Sequence, residues 1–285
     1  MSMATNIVLV GGPNSGKSNY IARLWISLSK KEGRLFAPTT PDKIDYVETL
    51  VKHLFAGEFV ARSDSSLHEE GNDLVVDVAV RDANPDVSAS LVVPDVLGEV
   101  WQGAVANSHL PERWHDLLVT SSSALLFVHA NDKDNVVALD WVTAGELLEA
   151  GLGDERDATE IPTQVALCEL LRMLDDLLSR DRGRPRVAVI VAAWDKLDPK
   201  ERASAPIKYL DKQFPLFAGR LRDTLDVDVR VFGLSVVGGD FSVQAFRDKL
   251  LDEGVPGHGY VVFEQAGKVE ECKDVTVPLQ WLLGQ

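Results

Sequence analysis

The stretch that decides the fold is Gly11-Gly12-Pro13-Asn14-Ser15-Gly16-Lys17-Ser18. It satisfies G-x-x-x-x-G-K-[ST] at every fixed position, the pattern of a loop whose backbone N–H groups cradle phosphates. Its surroundings fit. Ile7-Val8-Leu9-Val10 reads as a buried strand leading in, and Asn19-Tyr20-Ile21-Ala22-Arg23-Leu24-Trp25 reads as a helix leading out. The loop and the helix N-terminus then converge on one anion. In that geometry Gly16 lets the main chain approach the phosphates, Lys17 reaches the β and γ oxygens, and the Ser18 hydroxyl ligates Mg²⁺.

Outward from the loop, near-continuous Val/Ile/Leu/Phe runs predict strands over 6–11, 124–130, 187–193 and 227–234, buried on both faces. Alternation over 73–93, broken at Asn84-Pro85-Asp86, predicts a hairpin feeding the same sheet. Helices are expected over 18–29, 41–55, 163–178, 205–225 and 243–253, and 151–162 reads as a mobile acidic loop. Near the C-terminus, 260–263 reads as a short strand and 277–283 as an apolar turn or helix. Alternating strands and helices give an α/β fold, a three-layer α/β/α P-loop NTPase sandwich with a mostly parallel sheet and one antiparallel hairpin strand. Residues 1–285 are expected to form a single domain with an insertion around 31–71 and an extension from about 240.

Composition narrows the partners. Twenty-nine Lys and Arg against 44 Asp and Glu leave a net charge of −15, so the surface as a whole repels nucleic acid and anionic lipid, and any phosphate site is local. Cys168 and Cys272 have no metal-ligand or C-x-x-C spacing, which argues for a reducing compartment and a cytoplasmic location. No apolar run reaches the ~20 residues of a transmembrane segment, and the N-terminus lacks a signal-peptide pattern.

A second element follows the hairpin. Leu91-Val92-Val93-Pro94-Asp95-Val96-Leu97-Gly98-Glu99 is an apolar strand ending in D-x-x-G. Asp95 is placed to hold Mg²⁺ through water, and Gly98 to offer its N–H to a γ-phosphate. Asp and Gly are also common turn residues, so the signal draws its weight from its place downstream of the loop.

These two motifs together resemble the Ras-like GTPases of the translation-factor-related class. The resemblance implies GTP and GDP as ligands, Mg²⁺ as cofactor, and a guanine-reading aspartate in an [N/T]-K-x-D signature. Within Val187–Asp198, VAVIVAAWDKLD, two registers compete: strand length favours Asp195, and the retained Lys196 favours Asp198. As ordinary loop residues, Asp198 would open a turn at Pro199. A final signature backing the base falls at Ser235-Val236-Val237-Gly238-Gly239, where only Ser235 agrees.

The family commonly has a water-orienting Gln after D-x-x-G. Here Glu99 stands there, a carboxylate that cannot donate when ionised and that repels the γ-phosphate, so slow or partner-dependent hydrolysis is expected. The first switch should supply a Ser or Thr to Mg²⁺. Thr39, Thr40, Ser63, Ser65 and Ser66 compete, with the Ser63 group just before the hairpin. Arg62 beside it is a candidate cis-acting arginine, or a solvated one. His109 and His115 complete no metal spacing, Asp132, Asp134 and Asn135 crowd a strand end, and Trp101 packs either on the nucleotide-sensitive segment or in the core.

The whole layout, including the AWD strand end and a C-terminal P-L-x-W-L-L, resembles the bacterial double-GTPase family predicted to act in conflict or defence systems beside a second GTPase. That resemblance implies a regulatory switch with protein partners: an effector, an activating or exchange factor, or a second GTPase. An ATP-binding NTPase or kinase and a non-hydrolysing nucleotide scaffold are the alternatives.

Overall fold

Apolar strands with side chains packed on both faces order the chain into one nine-stranded sheet, in a computed structural model that describes residues 5–60, 73–81, 88–94, 98–132, 135 and 161–285. In chain order the elements are β1 (Thr5–Val10), α1 (Lys17–Lys30), β2 (Leu35–Phe36), α2 (Ile44–Phe55), β3 (Leu74–Val80), β4 (Ser88–Val93), α3 (Glu99–Asn107), α4 (Glu112–Thr120) and β5 (Ser121–His129). They continue as α5 (Thr163–Leu177), β6 (Arg186–Ala192), a 3₁₀ turn (Trp194–Lys196), α6 (Pro199–Arg202), α7 (Pro206–Gln213), α8 (Pro215–Asp223) and β7 (Asp228–Ser235). The last are α9 (Gln244–Glu253), β8 (Tyr260–Gln265), β9 (Lys268–Cys272) and α10 (Val277–Leu282).

The strand order is β2-β3-β4-β1-β5-β6-β7-β8-β9. Pairings from β4 through β1, β5 and β6 to β7 are parallel, and β3 and β8 run against the rest. Period-two alternation divides the interior. Ile7, Leu9, Leu125, Phe127 and Ile190 face a core closed by α1, α2, α9 and α10; Val8, Val10, Leu126, Val128 and Val189 face one closed by α3, α4, α5, α7 and α8. The result is the α/β/α sandwich expected from the alternating elements.

The sheet is larger than the sequence pattern indicated. A second antiparallel hairpin, β8–β9, turns through Ala266 (φ 50°) and Gly267 (φ 76°), the left-handed pair that two-residue hairpins favour, so the expected strand at 260–263 is only its first arm. The single helix expected over 205–225 is two helices. Pro215 lacks the N–H that a continuing helix needs, and Phe214 leaves helical geometry at φ −133°, ψ 54°. Residues 151–160 and the turn at Asn84-Pro85-Asp86 lie outside the described residues. Among the described residues no helix is long and apolar enough to cross a membrane.

Candidate nucleotide site

The carboxyl ends of the parallel strands form the edge where open α/β sheets bind ligands. At the end of β1 the chain turns through Asn14 (φ 57°) and Gly16 (φ 100°), both left-handed. A Cβ on Gly16 would sit 2.8 Å from the Cβ of Ala192, so the loop lies directly against the end of β6. Lys17 is buried, and its Nζ donates to the carbonyls of Gly11 and Gly12, each at 2.7 Å. The Ser15 hydroxyl also donates to the Gly12 carbonyl, at 2.8 Å. Helix α1 starts from Gly16 with no side-chain cap, so its first-turn N–H groups face the loop along with the positive end of the helix dipole. Ser18 is half-buried in that first turn, and its hydroxyl is the hard oxygen donor that Mg²⁺ prefers. Pro13 and Asn14 form the outer lip, Asn14 exposed.

Gly98 closes the loop from the other side. Its φ is 88°, and a Cβ there would fall 2.4 Å from the carbonyl carbon of Gly12 and 2.6 Å from the oxygen of Gly11. Only glycine permits this approach. Glu99, exposed, opens α3, while Trp101 is buried edge-on against Trp114 at 5.0 Å; of its two possible placements the core one is found. Asp95, Arg62, Ser63, Ser65, Ser66 and Asp134 lie outside the described residues.

The two candidate aspartates separate clearly in geometry. After β6, Ala193 turns left-handed (φ 58°) and Trp194 drops into the core, its ring filling the space that a Cβ on Gly233 would occupy. Trp194 also meets Tyr209 edge-on at 5.6 Å and donates through Nε1 to the Arg202 carbonyl at 3.3 Å. So anchored, the turn presents Asp195 half-buried beside Ser235, whose hydroxyl accepts from the Gly238 N–H at 2.9 Å. Burial raises the Asp195 carboxyl above the usual aspartate range, against the pull of Ser235, its own backbone N–H and Lys196. Its Oδ2 is buried with no hydrogen-bond partner among the described residues. Asp198 is exposed and caps α6, accepting from the N–H groups of Lys200 (2.8 Å) and Glu201 (2.9 Å), which hold its carboxyl low.

Two residues at this end carry no motif and were missed by sequence reasoning. Phe59 sits 5.8 Å below the Lys196 ammonium and 4.6 Å from the ring of Phe241, an aromatic pair under the lysine that follows Asp195. Both lie in loops, where hydrophobic periodicity gives no signal; the one hint is an aromatic two residues after a loop glycine, Gly57 and Gly239. Val60 N–H donates to Asn19 Oδ1 at 3.0 Å, tying this segment to α1.

The other candidates have structural settings. Thr39 donates to Asp77 on β3, Thr163 to Asp132, and Asn135 to the Gln213 carbonyl. His109 and His115 are exposed. His129, at the end of β5, is held below the usual histidine range chiefly by burial. Among the described residues no group of three His, Cys, Asp or Glu is placed to hold a metal.

The profile of the Double-GTPase 1 family matches residues 8–282. The chain belongs to the Double-GTPase 1 family. Membership places it among GTP-binding GTPases, in agreement with the phosphate loop. Solved structures similar to it include a bacterial selenocysteine-specific elongation factor, EF-Sec (13% identity, TM-score 0.36), over 88% of this chain and 29% of that one. The Ski7 GTPase-like domain of S. cerevisiae bound to GTP matches at 11% identity and TM-score 0.43, over 88% of this chain and 50% of that one. A signal recognition particle receptor SRb-GTP/SRX complex from Chaetomium thermophilum matches at 15% identity and TM-score 0.37, over 87% and 98%. The chain thus spans less than a third of the elongation factor and half of the Ski7 GTPase-like domain. No match to it is found among curated proteins.

Proposed function

We propose that this protein is a GTP-operated regulatory switch that binds GTP with Mg²⁺, hydrolyses it slowly by itself, and signals through order around the γ-phosphate to a protein partner. The observation that carries the reading is the pair of half-sites at one sheet edge: a buried lysine inside a phosphate loop, and a half-buried aspartate whose Oδ2 has no hydrogen-bond donor among the described residues. A guanine edge supplies two such donors, N1–H and the exocyclic amine. Asp195 is the residue assigned to accept from them, Ser235 backs it, and Lys196 with Phe59 bounds the ring. Asp198, committed to its helix cap, is left a structural role.

On the phosphate side Gly11, Gly12, Pro13, Asn14, Ser15 and Gly16 shape the cradle, and Lys17 supplies a point charge to the β and γ oxygens. Mg²⁺, held by Ser18 with Asp95 and Ser63 as further assigned ligands, would neutralise charge developing on the phosphates. The Gly98 N–H is assigned to the γ-phosphate. In-line attack by water then rests on electrostatic preorganisation by Lys17 and the backbone N–H groups. Glu99, where the reaction needs a group to orient water, brings negative charge towards the γ-phosphate, and this makes the unassisted reaction slow. Arg62 is assigned as an internal cation for transition-state charge. The output is conformational: segments near Ser63 and Gly98 order with GTP and relax after hydrolysis. A cytoplasmic bacterial conflict or defence system, with an effector, an activating or exchange factor, or a second GTPase as partner, is the proposed setting.

Single-turnover phosphate release from GTP and from ATP, with magnesium and the purified full chain, tests this. Slow release from GTP that Lys17→Ala abolishes is expected. Equal release from ATP, or release indifferent to Lys17→Ala, contradicts it.

A further inference from the structure

Arg23 lies six residues after Lys17 on α1, and its side chain is wholly buried. Its Nε and Nη2 both donate to the main-chain carbonyl of His258, at 2.8 and 2.6 Å, and Nη2 lies 2.8 Å from the Glu32 carboxylate, itself 19% exposed. Nη1 is buried with no hydrogen-bond partner among the described residues. Burying a guanidinium this way costs desolvation that an apolar side chain of similar volume would avoid, so stability of the fold is a poor reason for an arginine here.

What the guanidinium does is hold one carbonyl. His258 lies in a turn containing Gly254, Gly257 and Gly259, all at φ between 78° and 89°, a backbone with much conformational freedom to lose. The next residue, Gly259, passes so close to the Ser235 turn that a Cβ on it would sit 2.5 Å from the Val236 oxygen and 2.9 Å from the Ser235 oxygen. Tyr260 then pairs with Ser235 across β7 and β8. Two residues before Ser235 on the same strand, Gly233 lies against the ring of Trp194, the residue that precedes Asp195. A contiguous run of contacts therefore joins the helix that begins at the phosphate loop to the carboxylate assigned to the base.

We infer that Arg23 is a positioning residue for guanine recognition: by fixing the His258 carbonyl it seats Gly259 under the Ser235 turn and sets the spacing between the phosphate loop and Asp195. This rests on the assignment of Asp195 as the base reader. No contact of Arg23 with nucleotide is implied. Its effect is on discrimination of the base, because a small displacement of Asp195 weakens its two directional hydrogen bonds while leaving the phosphate cradle in place.

The test is the ratio of GTP to inosine triphosphate affinity, measured by competition on the full chain; inosine lacks the exocyclic amine. Arg23→Met is expected to lower that ratio by about tenfold, the scale on which hydrogen-bond misplacement acts. Arg23→Lys, which keeps a charge against Glu32 but has one nitrogen for the carbonyl, should give an intermediate loss. A purely structural arginine would lower both affinities together, or neither, and leave the ratio at its wild-type value. That result in Arg23→Met overturns the inference, and if Arg23→Met does not accumulate, a wild-type ratio in Arg23→Lys overturns it. Asp195→Ala separates the two layers. If it keeps the wild-type ratio, the base-reading assignment itself fails; if it collapses the ratio and both Arg23 variants do not, only the role of Arg23 falls.

Discussion

Ser235 stands beside Asp195 and draws its carboxyl down, and Asp195 Oδ2 is buried with no hydrogen-bond partner among the described residues. Burial holds the Asp195 carboxyl above the usual aspartate range in the nucleotide-free protein. Two N–H donors from guanine would favour its charged form, so GTP binding draws the value back down. The sign follows: as pH falls through the raised free-state value, Asp195 takes up a proton before GTP can bind, and affinity drops by up to about tenfold per pH unit. The nucleotide-free fold responds oppositely, gaining stability on acidification through the same window. GTP titrations between neutral and mildly acidic pH, with Asp195→Ala as reference, should show this acid loss in wild type alone.

Gly98 lies on the phosphate loop at a φ that costs an alanine about 1–2 kcal/mol, and an added Cβ meets the main chain of Gly11 and Gly12. Gly98→Ala should lift the start of α3 off the loop. GTP hydrolysis falls at least about tenfold, and the same strain lowers the melting temperature by roughly 2–8 °C, with the packing of Trp101 against Trp114 left in place. Unchanged phosphate release would remove Gly98 from the site.

Gly233 in β7 is a packing position. A Cβ there falls 2.4 Å from Cδ2 of the wholly buried Trp194. Gly233→Ala overpacks the core by about 1–3 kcal/mol and lowers the melting temperature by roughly 3–10 °C. Since Trp194 anchors the turn that carries Asp195, GTP affinity should fall with it, which calorimetric melts and titrations on one preparation can compare.

Glu99 is exposed at the first position of α3, beside Gly98. Replacing it with glutamine removes a negative charge beside Gly98, the residue assigned to the γ-phosphate, and supplies a donor for water. Single-turnover hydrolysis by Glu99→Gln should rise by roughly tenfold, a modest share of what a positioned acid–base group contributes. A slower variant would mean that the carboxylate acts as a base.

The parts of the site fixed by local chemistry were legible in the sequence. Gly11 to Ser18 and its flanking strand and helix needed only glycine spacing and an apolar run, and the five helical segments expected from periodicity all contain helix. What was not legible depends on tertiary packing. Asp195 and Asp198 are alike in composition and three residues apart, and they part only because Trp194 enters the core and Pro199 starts a helix for Asp198 to cap. Phe59 and Phe241 come from loops far apart in sequence and meet through the fold. Arg23 looks like a polar interruption of the α1 stripe until the His258 carbonyl is placed beside it. The break at Pro215 was readable in principle, since proline inside a helical run removes a hydrogen bond, but the apolar spacing across it outweighed the signal.

Choice of guanosine is assigned to Asp195, and the grip on the triphosphate to Lys17. Titration calorimetry of GTP, ATP and xanthosine triphosphate with magnesium, on the wild type and on Asp195→Asn, tests this assignment most directly. The wild type should bind GTP and neither of the others. Asp195→Asn should stay folded with an equal or higher melting temperature, since it loses a buried carboxylate, and should exchange GTP for xanthosine triphosphate. Heat from ATP equal to that from GTP in the wild type, or undiminished GTP binding by Asp195→Asn, would contradict the account.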